Sequence, residues 1–74
     1  MVPAAQIERL LDEVCRKWGF CLPAEKRMEI SGISDLGPYE FAAQVLRAEG
    51  FNPEYENLWV TRLAELFSER TSRS

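Results

Sequence analysis

The stretch that most limits how this chain folds is Asn52-Pro53-Glu54-Tyr55-Glu56-Asn57-Leu58-Trp59-Val60-Thr61-Arg62-Leu63-Ala64-Glu65-Leu66-Phe67. Its composition reads as a helix. At about 100° per residue, Leu58, Tyr55, Leu66, Trp59, Leu63, Phe67, Val60 and Ala64 follow one another around roughly 240° of the circumference. A helix lying on a core needs an apolar stripe of only about 100° or more. The helix must therefore be covered from more than one side, and any apolar edge left bare is a candidate for function.

A second run has the same character. From Pro38 onward, Phe41, Val45, Ala42, Leu46, Tyr39, Ala43 and Ala48 cover roughly 220° of a helix. The two runs are joined by Glu49-Gly50-Phe51-Asn52-Pro53, which holds a glycine suited to a helix end, an N-capping asparagine and a proline for the next first turn. So short a connection predicts an antiparallel hairpin.

Upstream, Ala4, Ile7, Leu10, Leu11, Val14, Cys15 and Trp18 recur every three or four residues between Pro3 and Trp18, with Arg16 and Lys17 in the last turn. This predicts a first helix that crosses the hairpin. Pro23 to Ile30 is compatible with a two-turn helix, but one so short is marginal in water. Leu22, Met28 and Ile30 are the side chains expected to hold it. Gly19, Gly32 and Gly50 each follow a helical run, where φ commonly turns positive. Gly32 to Gly37 reads as irregular, with Ile33 and Leu36 tucked beneath it. The expectation is an all-α fold: one domain over residues 1–74, three main helices, one short helix, and a fraying tail over residues 69–74.

With 74 residues, nearly every apolar group is needed for the core. Little is left to line an enclosed pocket of about 300–1,000 Å³. The chain has no histidine, and its carboxylates lie mainly on wet helix faces beside basic residues. Glu8, Asp12 and Glu13 form the closest grouping, and a solvated face explains it better than a catalytic pair. The glycines stand apart and form no phosphate-binding loop. Two cysteines without histidine make a poor zinc set. Cys15 falls on the apolar side of the first helix, so free structural thiols are the favoured reading over a disulfide or redox pair. Asp35-Leu36-Gly37 resembles the acyl carrier Asp-Ser-Leu motif over three residues, but the serine that carries the prosthetic arm is missing. No enzyme activity, metal or cofactor is expected.

The net charge of −3 comes from interleaved acids and bases without the basic footprint of a nucleic-acid binder. No run approaches the roughly 18 apolar residues of a membrane span, and the start does not read as a signal peptide. A cytoplasmic, soluble protein without membrane contact is expected. What remains is apolar surface. The reading is a protein-interaction module contacting a protein partner or a second copy through Tyr39, Ala43, Leu46, Val60 and Ala64. Substitution of Ala43 or Ala64 by Glu is expected to abolish association and spare the fold. The alternative is a regulatory nucleic-acid-associated protein resembling a helix-turn-helix, with Lys26, Arg27 and Arg47 gathered on one side of a dimer.

Overall fold

In the computed structural model, which describes residues 2–72, four helices form an all-α fold: α1 (Ala4–Trp18), α2 (Ala24–Ser31), α3 (Pro38–Ala48) and α4 (Asn57–Thr71). The packing closes into a ring, α1 on α2, α2 on α3, α3 on α4 and α4 back on α1. Each broadly apolar helix thus has two neighbours. Ile7, Leu10, Val14, Ile30, Phe41, Val45, Leu46 and Leu63 are fully buried at the centre. Among the described residues, no helix is long and apolar enough to cross a membrane.

Local chemistry explains most of the helix ends. α1 stops at Gly19, whose φ of +79° lets its N–H bond the Cys15 carbonyl at 3.0 Å. α3 stops with Gly50 at φ +89°, while Phe51 N–H reaches back to the Leu46 carbonyl at 2.8 Å and Gly50 N–H to that of Arg47 at 3.0 Å. This pair of back-bonds is a Schellman ending, which only a left-handed residue permits without strain. Gly32 differs from the expectation. Its φ is −83°, because α2 runs out through an ordinary right-handed turn in which Ile33 N–H bonds the Ile30 carbonyl.

Three further departures have tertiary causes. The helix expected from Pro53 breaks after one 3-10 turn, Pro53–Tyr55, and restarts at Asn57. Asn52 caps that turn, its Oδ1 accepting the Glu54 N–H at 3.0 Å. Tyr55 is 81% exposed, so no packing draws the turn into register with α4. Met28, expected to anchor α2, is 70% exposed. In its place Arg27 ties α2 to α1, its Nη2 donating to Asp12 Oδ1 at 2.6 Å and to the Glu8 carbonyl at 3.2 Å.

α4 also continues through Thr71, into the stretch expected to fray. Arg70 holds it there. Its Nε and Nη2 donate to the two carboxylate oxygens of Glu13 at 2.9 and 2.5 Å, and Gln6 Nε2 donates to the Arg70 carbonyl at 2.7 Å. These bonds hold the end of α4 against α1 between Gln6 and Glu13, and with Trp18 at the end of α1 meeting Trp59 near the start of α4 the two helices run antiparallel. The remainder of the expected tail, residues 73 and 74, lies outside the described residues.

Hydrogen bonds from Arg70 hold the Glu13 carboxyl below its usual value, against the opposing pull of burial and with help from the charges of Arg70, Lys17 and Arg16. A carboxyl lowered on folding stabilises the fold fully above its unfolded value of about 4.3 and loses that contribution as pH falls through the folded value. Urea unfolding should therefore show wild type more stable than Glu13→Gln near neutral pH. The two midpoints should converge on acidification below about pH 4. A constant gap across the titration would mean that Glu13 acts through packing alone.

Candidate functional site

The structure separates the five residues expected at a contact surface. Tyr39, in the first turn of α3, is 70% exposed, whereas Leu46 is fully buried and Ala64 nearly so. Ala43 and Val60 are half-buried, and Val60 packs against the core. Tyr39 and Ala64 do meet. They line an open groove of about 450 Å³ with Pro38, Thr61 and Ser68, where the start of α3 crosses the end of α4. Leu46 is withdrawn as a contact residue, since it points into the core. The expected effect of Ala64→Glu is corrected as well: a carboxylate at a site 6% exposed would disturb the packing before any partner met it.

The bare edge lies on the other side of α4. In angular order its apolar arc runs from Leu58 and Tyr55 at one end to Val60 and Ala64 at the other. The start of α3 lies along the Ala64 end, where a small side chain permits close approach. The opposite end is open: Tyr55 is 81% exposed and Leu58 61%. Phe51, in the same connection, is 46% exposed. Three large apolar side chains therefore reach solvent within eight residues of chain, at the elbow between α3 and α4.

The elbow rests on an aromatic layer. Phe51 meets the buried Phe20 edge-on with centroids 6.1 Å apart, Phe20 meets Trp59 at 5.0 Å, and Trp59 meets Trp18 at 5.5 Å. Edge-to-face geometry of this kind favours a fixed arrangement of rings. Lys17 lies over Trp18 and Arg62 over Trp59, with their charges 5.5 and 5.4 Å from the ring centroids. The Schellman ending and the Asn52 cap order the backbone on either side of Phe51, and Tyr55 N–H bonds the Asn52 carbonyl at 3.0 Å.

A disulfide braces this layer. Cys15, at the end of α1, is bonded to Cys21, and the bridge encloses Trp18, Gly19 and Phe20. This corrects the reading of two free thiols. Cys15 is half-buried and Cys21 exposed, because the turn at Gly19 folds the chain back so that the two side chains meet. Apolar periodicity along α1 places Cys15 but says nothing of the return path.

The charged groups singled out earlier are largely engaged with one another. Asp12 is paired with Arg27 and Glu13 with Arg70, while Glu8 offers Arg27 its backbone carbonyl alone. Lys26 and Arg47 border one crevice with Glu29, and Lys26 pairs with Glu29 at 3.6 Å. Arg27 turns away from them toward α1.

Sequence alone does not single out the elbow residues, because Tyr55 and Leu58 belong to an apolar arc whose cover is fixed only by tertiary packing. A signal was available in the local polarity: Tyr55 stands between Glu54 and Glu56, and no apolar residue precedes it by three or four positions except Phe51. Comparison of the chain with protein-family models, with characterised proteins and with solved structures finds no match.

Proposed function

We propose that this protein is a non-catalytic protein-interaction module whose contact surface is the elbow between α3 and α4. The observation that supports this reading is the exposure of Phe51, Tyr55 and Leu58 on a connection held by the Schellman ending, the Asn52 cap and the first turn of α4. Large apolar side chains held in place lose little conformational freedom when a partner covers them, and aromatic residues dominate the energetics of protein contacts. A scattered exposed leucine has no such meaning. Phe51, Tyr55 and Leu58 fall within eight positions of chain, with Phe51 seated on Phe20, and contiguous exposed apolar surface marks interaction sites.

The test is a paired substitution, Tyr55→Ser with Leu58→Ser, set beside Tyr39→Ser as a control on the distant groove. Both variants should stay within about 0.5 kcal/mol of wild-type stability, because the side chains removed are already wet. Partners cross-linked to wild type and to the Tyr39 variant should be lost from the elbow variant, with affinity reduced at least tenfold, about 1.4 kcal/mol. Equal capture by all three proteins would overturn the assignment of the elbow.

A further inference from the structure

We propose that the elbow accepts a cationic segment of a different protein, one that carries apolar anchors between its lysines or arginines. This rests on the interaction reading above and adds to it the chemistry of the partner. Residues 49–58 contain Glu49, Glu54 and Glu56 and no lysine or arginine. Among the described residues none of the three carboxylates takes part in an ion pair, a state they share with Glu8, Glu25, Asp35, Glu40 and Glu65, but only here do such acids stand without a lysine or arginine beside three exposed apolar side chains. Glu49 also has one carboxylate oxygen buried without a hydrogen-bond partner. It stands at the C-terminal end of α3, where the helix dipole disfavours negative charge. The apolar patch is thus accompanied by three carboxylates without an ion-pair partner, of which Glu49 stands at a helix end that disfavours it, while Glu54 and Glu56 stand at helix starts that favour it.

That charge decides between occupants. A symmetric dimer through the elbow would set the same patch against itself, bringing Glu54 and Glu56 of one copy toward those of the other. Like charges brought together across an interface select against that pairing. A cationic partner reverses the sign of this interaction and gains both the apolar cover and the charge complement. The cations nearest the aromatic layer, Lys17 and Arg62, lie over Trp18 and Trp59.

Binding of model peptides, followed by tryptophan fluorescence, tests the proposal on the intact protein. The probes are a leucine/lysine peptide, a leucine/glutamate peptide of identical pattern, and a glycine/lysine peptide that has charge without apolar anchors. The leucine/lysine peptide should bind saturably and at least tenfold more tightly than either of the others. Glu54→Gln with Glu56→Gln should weaken it at least tenfold at low salt, and Tyr55→Ser with Leu58→Ser should weaken it at least as much. Equal binding of the leucine/glutamate peptide at the elbow would overturn the cationic partner and leave the interaction surface standing. Equal binding of the glycine/lysine peptide, indifferent to Tyr55 and Leu58, would reduce the effect to general charge attraction and overturn the proposal. Absence of binding by all three would also overturn it, with the cross-linking comparison above still deciding the broader reading. Sedimentation of wild type as a dimer that the Tyr55 and Leu58 substitutions disperse would assign the patch to a second copy instead.

Discussion

Phe41→Ala is expected to remove a large share of the stability of this fold. Phe41 is fully buried on α3, and its ring packs against that of Phe67 on α4 with centroids 5.3 Å apart. Truncating a buried phenylalanine costs about 3–5 kcal/mol, because lost transfer energy adds to the cavity left behind. A chain of 74 residues, at roughly 0.05–0.15 kcal/mol per residue, has only about 4–11 kcal/mol in total. Urea unfolding at neutral pH should show the unfolding free energy lowered by about 3–5 kcal/mol, with the midpoint moved to markedly lower urea. A loss below about 1 kcal/mol would mean that α3 and α4 close the gap by collapse, against the usual rigidity of packed helices.

Opening the Cys15–Cys21 bridge is the second large effect, and it separates stability from the contact surface. The bridged residues are six apart in sequence. Loop-closure entropy for so short a ring gives about 2 kcal/mol, less than for a long loop. Cys15→Ser with Cys21→Ser should therefore lower the unfolding free energy by about 2 kcal/mol while helical circular dichroism at room temperature is retained. The local consequence should be larger at one place. The ring holds Trp18, Gly19 and Phe20, and Phe20 supports Phe51 from below. Amide exchange should quicken over residues 19–22 and at Phe51 before it quickens in α4. Uniform loss of protection across all four helices would show that the bridge serves only global stability.

The arrangement of the elbow follows from how a small helical ring satisfies too much apolar surface. α4 has two packed neighbours, α3 and α1, and an arc of roughly 240° at about 100° per residue exceeds what two neighbours cover. One edge must stay open. Ala64 lets α3 approach closely, so cover falls on that side, and Tyr55 and Leu58 remain outside. The break after the 3-10 turn increases the effect by uncoupling Tyr55 from the register of α4.

Much of the fold was legible from neighbours in sequence. The apolar spacing from Ile7 to Val14 places α1, Pro38 opens α3 at its first position, and Gly19 and Gly50 end α1 and α3 with positive φ. Asn52 does act as a cap, though of the separate 3-10 turn Pro53–Tyr55 and not of the helix it was expected to open. These features depend on interactions within four or five residues, which side-chain type and spacing report directly. The candidate site was legible only in kind, as surplus apolar surface on the last two helices.

Its location was decided at longer range. Tyr39 is exposed, whereas Leu46 and Ala64 are drawn inward by contacts between helices that their own neighbours in sequence do not encode. The grip of Arg70 on Glu13 spans 57 positions and that of Arg27 on Asp12 spans 15. Local periodicity determined that α4 has more apolar arc than one neighbour can bury. Only the folded arrangement decided which edge stays bare, because cover depends on how closely two helix backbones approach, and that distance is set jointly by side chains far apart in the chain.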